Sequence, residues 1–271
     1  MPIASLIAGA LIAQTGSFQP SVQAWTFNRF TTEEAISLAA QAGSANIELF
    51  PGQNLSKDLP GVKVGPEMGQ ENTDKLKGFL TKSGVKAVAF GVTGVSKSAD
   101  EARKLFSWAK GLGVQVINTE STDAIDTVEA MVKEFDLKVG YHNHPKQPNN
   151  PNYKVWDPQY VYDLVKNRDK RIGSCADTGH WVRSGIKPVD AIRILKGRIV
   201  SCHLKDLHEF TLGGHDMPYG LGVSDVHAIL EEFKKIKMTG PVSVEYEYNW
   251  DKNLAEVGQC IGFLRAFQTR K

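Results

Sequence analysis

Four short segments in the second half of the chain carry imidazole or carboxylate groups at alternate positions. Gly140, His142 and His144 share one phase, and Cys175 and Asp177 share the next. Ser201, His203 and Lys205 follow, and then Ser243, Glu245 and Glu247. Alternate residues of a β-strand point to one face, so four such strands would send these groups the same way. Burying so many charges without partners is very costly, and a shared cation is the simplest compensation. His142, Asp177, His203 and Glu245 form a mixed nitrogen and oxygen set. That set suits one divalent ion of manganese, zinc, cobalt or iron rather than calcium. Residue type alone leaves two rivalries open: His144 against His142, and Glu247 against Glu245.

A metal over a carbonyl oxygen and its neighbouring hydroxyl acidifies the shared C–H bond and stabilises the resulting enediolate. A base must then reach the carbon. Glu245 or Glu247 can serve from one side. His144 or His180 can serve from the other, since imidazole titrates near neutrality. Lys205, two residues past His203, can hold a hydroxyl or an oxyanion. Glu48 and Glu120 share a phase with Asn46 and Asn118 and are expected to contact substrate.

The elements that must position these groups are legible as a rhythm. Apolar or β-branched runs fall at 21–27, 46–50, 85–91, 114–120, 137–143, 171–177, 199–205 and 241–247. Amphipathic stretches lie between them: 31–43 opens with Thr31 or Thr32 as cap and closes at Gly43, and 99–113 and 223–237 repeat the 3.6-residue spacing. Eight strands, each followed by a helix, predict parallel pairing through right-handed crossovers. The fold class is α/β, a single-domain (β/α)8 TIM barrel over 21–271, and 271 residues is a usual length for one. A doubly wound open sheet is the alternative. No glycine-rich GxGxxG turn follows the first strand, and polar strand ends spread over many strands suit a barrel mouth. Long connections at 51–72 and 145–158 are expected to shape that mouth.

Composition narrows the partners. Lys and Arg number 32 against 30 acids, giving a net charge of +2 without a basic run, which excludes a nucleic-acid footprint. Three cysteines, Cys175, Cys202 and Cys260, without CxxC spacing read as buried apolar residues. Ile3 to Ala13 is an apolar run too short to span a bilayer. With polar residues after it, residues 1–20 read as an export leader, implying a periplasmic protein. An extra helix under the barrel of a cytoplasmic protein is the alternative. Nothing speaks against a homo-oligomer.

The stretches GYHNH (140–144), ADTGHW (176–181), SCHLKD (201–206), HDMPYGLG (215–222) and SVEYEYNW (243–250) resemble the xylose-isomerase-like barrel superfamily. That group contains sugar isomerases, epimerases and apurinic-site endonucleases. The resemblance implies one metal held by a strand-five carboxylate, a strand-six Asp, a strand-seven His and a strand-eight Glu. Asp177, His203 and Glu245 match the last three. Strand five departs, reading His142-Asn143-His144 where many members have Glu-Asn-His. The resemblance also implies that His180 contacts substrate and that the loop with His215 and Asp216 approaches the metal. Trp25, Trp156 and Trp181 are then candidates to stack on a sugar ring. The expected activity is a metal-dependent sugar isomerase or epimerase acting through an enediolate on a small sugar. The alternative is a lyase that cleaves 3-keto-glycosides by β-elimination. The endonuclease branch carries histidines at the ends of strands two and three, where this chain has Glu48-Leu49-Phe50 and Phe90-Gly91.

Overall fold

The computed structural model describes residues 17–269. The apolar run of the expected leader lies outside the described residues, and Gln19 already belongs to the first strand. The strands are β1 (Gln19–Gln23), β2 (Asn46–Leu49), β3 (Lys86–Phe90), β4 (Val116–Thr119), β5 (Lys138–His142), β6 (Ile172–Asp177), β7 (Ile199–Leu204), β8 (Asp206–Leu207), β9 (Asp216–Met217) and β10 (Pro241–Val244). Eight of them close a parallel barrel in the order β1-β10-β7-β6-β5-β4-β3-β2, while β8 and β9 form an antiparallel hairpin above it. The helices are α1 (Thr32–Gln41), α2 (Gly69–Ser83), α3 (Ala99–Gly111), α4 (Ile125–Phe135), α5 (Pro158–Val165), α6 (Thr178–Arg183), α7 (Pro188–Leu195), α8 (Val226–Lys235) and α9 (Leu254–Thr269). Among the described residues no helix is long and apolar enough to cross a membrane.

Local chemistry explains the boundaries. Thr31 caps α1: its hydroxyl accepts from the Glu34 amide at 3.4 Å, and its own amide donates to Glu34 Oε2 at 2.9 Å. The first strand stops four residues earlier than its apolar run suggests. The Gln23 side chain accepts from the Trp25 amide at 3.0 Å and bends Ala24–Phe27 into a 3-10 turn. Trp25 is thereby lifted out of the wall to the mouth.

Outward-facing Val139, Tyr141, Cys202, Leu204, Val242 and Val244 are buried under the helices. The interior face is polar near the mouth. Asn118 Nδ2 donates to Glu48 Oε1 at 2.7 Å, Ser243 Oγ donates to Glu48 Oε2 at 2.9 Å, and Ser201 Oγ donates to Asn118 Oδ1 at 2.7 Å. Gly140 leaves room for this layer. A β-carbon there would sit 2.6 Å from Asn118 Oδ1 and 2.9 Å from both Cβ and N of Cys175. The Asn118 carboxamide is pinned and the Cys175 backbone cannot give. Gly140→Ala is therefore expected to destabilise the barrel by about 1–3 kcal/mol through overpacking, read as a lower denaturation midpoint. An unchanged midpoint would show that the layer can yield.

Candidate metal centre

One donor atom from each of His142, Asp177, His203 and Glu245 lies within 4.8 Å of every other, and all four residues are buried. The barrel supplies the convergence: His142 and Asp177 end β5 and β6, His203 lies one residue before the end of β7, and Glu245 follows β10. Asp177 also caps α6, accepting from the His180 amide at 2.7 Å through Oδ1, which leaves Oδ2 for the cluster. Asn143 locks the ends of β5 and β6 together, exchanging 2.9 and 3.0 Å hydrogen bonds with the Asp177 backbone.

The donor set fits a cation. His142 Nε2 and His203 Nδ1 are buried with no hydrogen-bond partner of good geometry, 3.5 Å from Asp177 Oδ2 and 3.2 Å from Glu245 Oε2 respectively. Each histidine is held from behind by a carboxylate. Glu120 Oε1 is 3.0 Å from His142 Nδ1, and Glu48 Oε1 is 2.9 Å from His203 Nε2. A carboxylate can accept but not donate, so each outer nitrogen carries a proton, and each inner nitrogen is the one left to offer a lone pair to a bound cation. Such carboxylate–histidine pairs are the usual support of a metal ligand.

His144 is not in this group. Its ring is half exposed, and its Nδ1 lies 2.5 Å from the same Glu120 Oε1, to which Tyr153 OH donates at 3.2 Å. Burial pushes the Glu120 carboxyl up, but His142 and His144 outweigh it and bring it down to about 2. Glu247 stands apart as well, its Oε2 3.0 Å from both Lys205 Nζ and Arg183 Nη1.

Lys205 is fully buried. Its ammonium lies 2.8 Å from Asp177 Oδ2, 2.7 Å from Glu245 Oε2 and 3.0 Å from Glu247 Oε2. Burial drives its pKa down, and these carboxylates drive it further up, so it stays charged. Burial likewise pushes Asp177 up, while the Lys205 ammonium and the neighbouring His142 hold it well below the usual carboxylate range.

Behind this row, Arg183 of α6 donates to Glu247 at 3.0 Å, to Asp216 Oδ2 at 3.2 Å and to the Gly214 carbonyl at 3.0 Å. It also lies 3.1 Å from His180 Nδ1. A guanidinium only donates, so Nδ1 of His180 accepts; Nε2 lies 3.5 Å from both Asp177 Oδ2 and Lys205 Nζ, and in a neutral ring it carries the proton on the Asp177 side. Burial lowers the His180 pKa well below the ordinary imidazole value, with Lys205 adding to the push.

Asp216 Oδ1 is buried without a partner. Burial raises this carboxyl to about 7, with Glu247 reinforcing it against the pull of Lys205 and Arg183. The folded state then binds a proton that the unfolded chain releases near pH 4. Stability from this group is full below that pH and declines as pH rises to about 7, by at most roughly 1.4 kcal/mol per pH unit. Asp216→Asn should flatten that slope in urea denaturations between pH 4 and 7; an unaltered slope would assign the pH dependence elsewhere.

The remaining expected contacts divide by depth. Trp25 is 41% exposed and meets the Phe50 ring edge-on at 5.1 Å, over a cavity of about 310 Å³ that His142, His144, His180, Glu245 and Glu247 also line. Trp181 is 1% exposed within the core and cannot stack on a ligand. Trp156 lies under the Lys146 ammonium at 4.7 Å, away from that cavity. Glu48 has no exposed surface and reaches the centre through His203. Arg183 and Tyr153 escape a sequence reading because nothing in their spacing sets them apart from surface residues.

In sequence the chain matches, over residues 36–267, the family described as xylose isomerase-like TIM barrel. No curated protein matches it in sequence. Among solved structures, a protein from Parabacteroides distasonis ATCC 8503 is 28% identical with a TM-score of 0.72, covering 92% of this chain and 98% of that one. A sugar phosphate isomerase/epimerase from the same organism is 16% identical with a TM-score of 0.64, covering 98% of each chain. D-allulose 3-epimerase from Methylomonas sp., in complex with D-allulose, is 14% identical with a TM-score of 0.68, covering 92% and 97%. The sequence match spans most of the barrel, and the chain belongs to the xylose isomerase-like TIM barrel family.

Proposed function

We propose that the protein is a divalent-metal-dependent sugar isomerase or epimerase that works by proton transfer beside a carbonyl. The observation that supports this reading is the pair of histidines, His142 and His203, each backed by a carboxylate and each turning its other nitrogen toward Asp177 and Glu245. His142, Asp177, His203 and Glu245 would hold the ion. When bound, it supplies Lewis acidity to a carbonyl oxygen and the neighbouring hydroxyl.

The chain's own groups divide the remaining work. His144 is the acid-base residue: Glu120 fixes its Nδ1, which frees Nε2 to take a proton from one carbon and return it to the next. Neutral His180 donates from Nε2 to a substrate oxygen. Glu247, held ionised by Lys205 and Arg183, is a weak base and is suited to accepting hydroxyl hydrogen bonds. Trp25 and Phe50 cover the ring and exclude water.

The rings of His144 and His180 stack 5.1 Å apart, on one wall. The β1–β3 side of the cavity presents Gln23, Trp25, Phe50, Pro51, Gly91 and Val92, none of which titrates. With Glu245 given to the ion and Glu247 a weak base, the histidine wall moves the protons on one face of the substrate, which favours isomerisation over inversion by two opposed bases. A keto-glycoside lyase is the second reading, favoured by the position of His144 at the outer edge of the cavity, where it can protonate a leaving oxygen.

The test is metal reconstitution followed by incubation with keto-sugars in deuterium oxide. Deuterium entry with interconversion of sugars supports the isomerase, and release of an aglycone supports the lyase. No exchange into any sugar by the metal-loaded protein overturns both.

A further inference from the structure

A second cavity, open to solvent and of about 450 Å³, shares His144 with the first. Its other walls include Pro145, Gln147, Pro148 and Asn149 from the loop after β5, and Leu212 from the turn of the β8–β9 hairpin. The loop is anchored to the site. The Lys146 amide donates to Ser184 Oγ at 2.9 Å, and Asn150 Nδ2 donates to Gln147 Oε1 at 3.1 Å. Tyr153 accepts from the His144 amide at 2.7 Å while donating to Glu120. One carboxylate therefore orients His142 and His144 and also holds the outer wall in register with them.

The lining of that wall points to an uncharged ring. Leu212 is 61% exposed, an apolar side chain left facing water opposite two prolines. Asparagine and glutamine amides beside it offer both donors and acceptors for hydroxyl groups. The one charged group on the loop here, Lys146, lies over the Trp156 ring. The inner cavity stands at the small end of the roughly 300–1,000 Å³ typical of ligand sites. A molecule that fills it meets the outer one at His144.

We propose that the outer cavity is a subsite for a second ring, so that the substrate class is a disaccharide or other glycoside rather than a free monosaccharide. The reacting sugar occupies the inner cavity, and the attached ring lies between Leu212 and the proline-rich loop. This rests on the reading of the inner cavity as a sugar site.

The experiment is calorimetric titration of the metal-reconstituted full chain. The probes are the monosaccharides D-fructose and D-tagatose and the ketose-ended disaccharides lactulose, turanose and isomaltulose. At least one disaccharide should bind about tenfold or more tightly than either monosaccharide, a difference of roughly 1.4 kcal/mol. Leu212→Asp and, independently, Pro148→Gly should bring that ratio toward one. Equal affinities in the unaltered protein, or a preference that neither substitution moves, would overturn the subsite. Preferential disaccharide binding without deuterium exchange would overturn the enolisation reading and leave the subsite standing. Exchange with equal affinities would do the reverse, and no sugar binding at all would overturn both.

Discussion

His142→Ala is expected to lose its metal on dialysis against a mild chelator, while His144→Ala keeps it. The two histidines are two residues apart, and both touch Glu120, yet they face different tasks. His142 is 2% exposed and turns Nε2 toward Asp177 Oδ2, 3.5 Å away. His144 is 48% exposed and lies outside the four-donor group. Removing His142 deletes a donor and leaves Asp177, His203 and Glu245 to hold the ion. Loss of an orienting partner alone typically costs about 10–100-fold in affinity. Glu120→Gln should fall in that range, and His142→Ala should exceed it. His144→Ala should bind metal normally and lose about 10²–10⁴-fold in turnover, the usual contribution of a positioned acid-base group. Metal content by elemental analysis, read beside kcat, separates these cases. Metal loss from His144→Ala with retention in His142→Ala would reverse the assignment.

Alternation along a strand reveals which face a residue takes, and it puts His142, Asp177, His203 and Glu245 on one face while leaving His144 and Glu247 as rivals on the same face. It says nothing about depth. Glu48 and Glu120 share the inward phase with residues that reach the mouth, so both read as substrate contacts. In the barrel Glu48 lies one layer below the cluster, where a register shift between Ile47 and Glu48 meets β3. Both of its oxygens are engaged there, by His203, Asn118 and Ser243. Trp181 follows Asp177 closely in sequence, and that spacing alone reads as a place at the mouth. The turn of α6 carries it into the core instead. The first strand overran for a related reason, since the Gln23 cap is invisible in hydrophobic patterning. Arg183 could have been found only from the pairing it makes across 33 residues to Asp216 and 64 residues to Glu247.

Lys205→Met should be the most damaging single change to stability in the site, and the size of the effect should depend on metal. The methionine keeps much of the buried volume but removes the ammonium from among Asp177, Glu245 and Glu247. Gly179 shows how closely the stem is packed, since a β-carbon there would lie 2.7 Å from Lys205 Cβ and Cδ. Breaking a buried ion pair by deleting one partner typically costs about 3–5 kcal/mol, because the charge left behind is uncompensated. Here three carboxylates are left. In chelator the variant should lose at least that much, a fall of roughly 10 °C or more in Tm. The direction with pH follows from the same charges. Without Lys205 the carboxylates bind protons more tightly in the folded state than in the unfolded chain, so the variant should regain stability as pH falls. Added metal neutralises Asp177 and Glu245 but does not reach Glu247, which keeps only Arg183. Restoration by metal should therefore be partial in Lys205→Met and more complete in Lys205→Met/Glu247→Gln. Scanning calorimetry of the single and double variants, with chelator and with metal, reads this difference. A single variant as stable as the parent in chelator would show that Lys205 does not hold these carboxylates together.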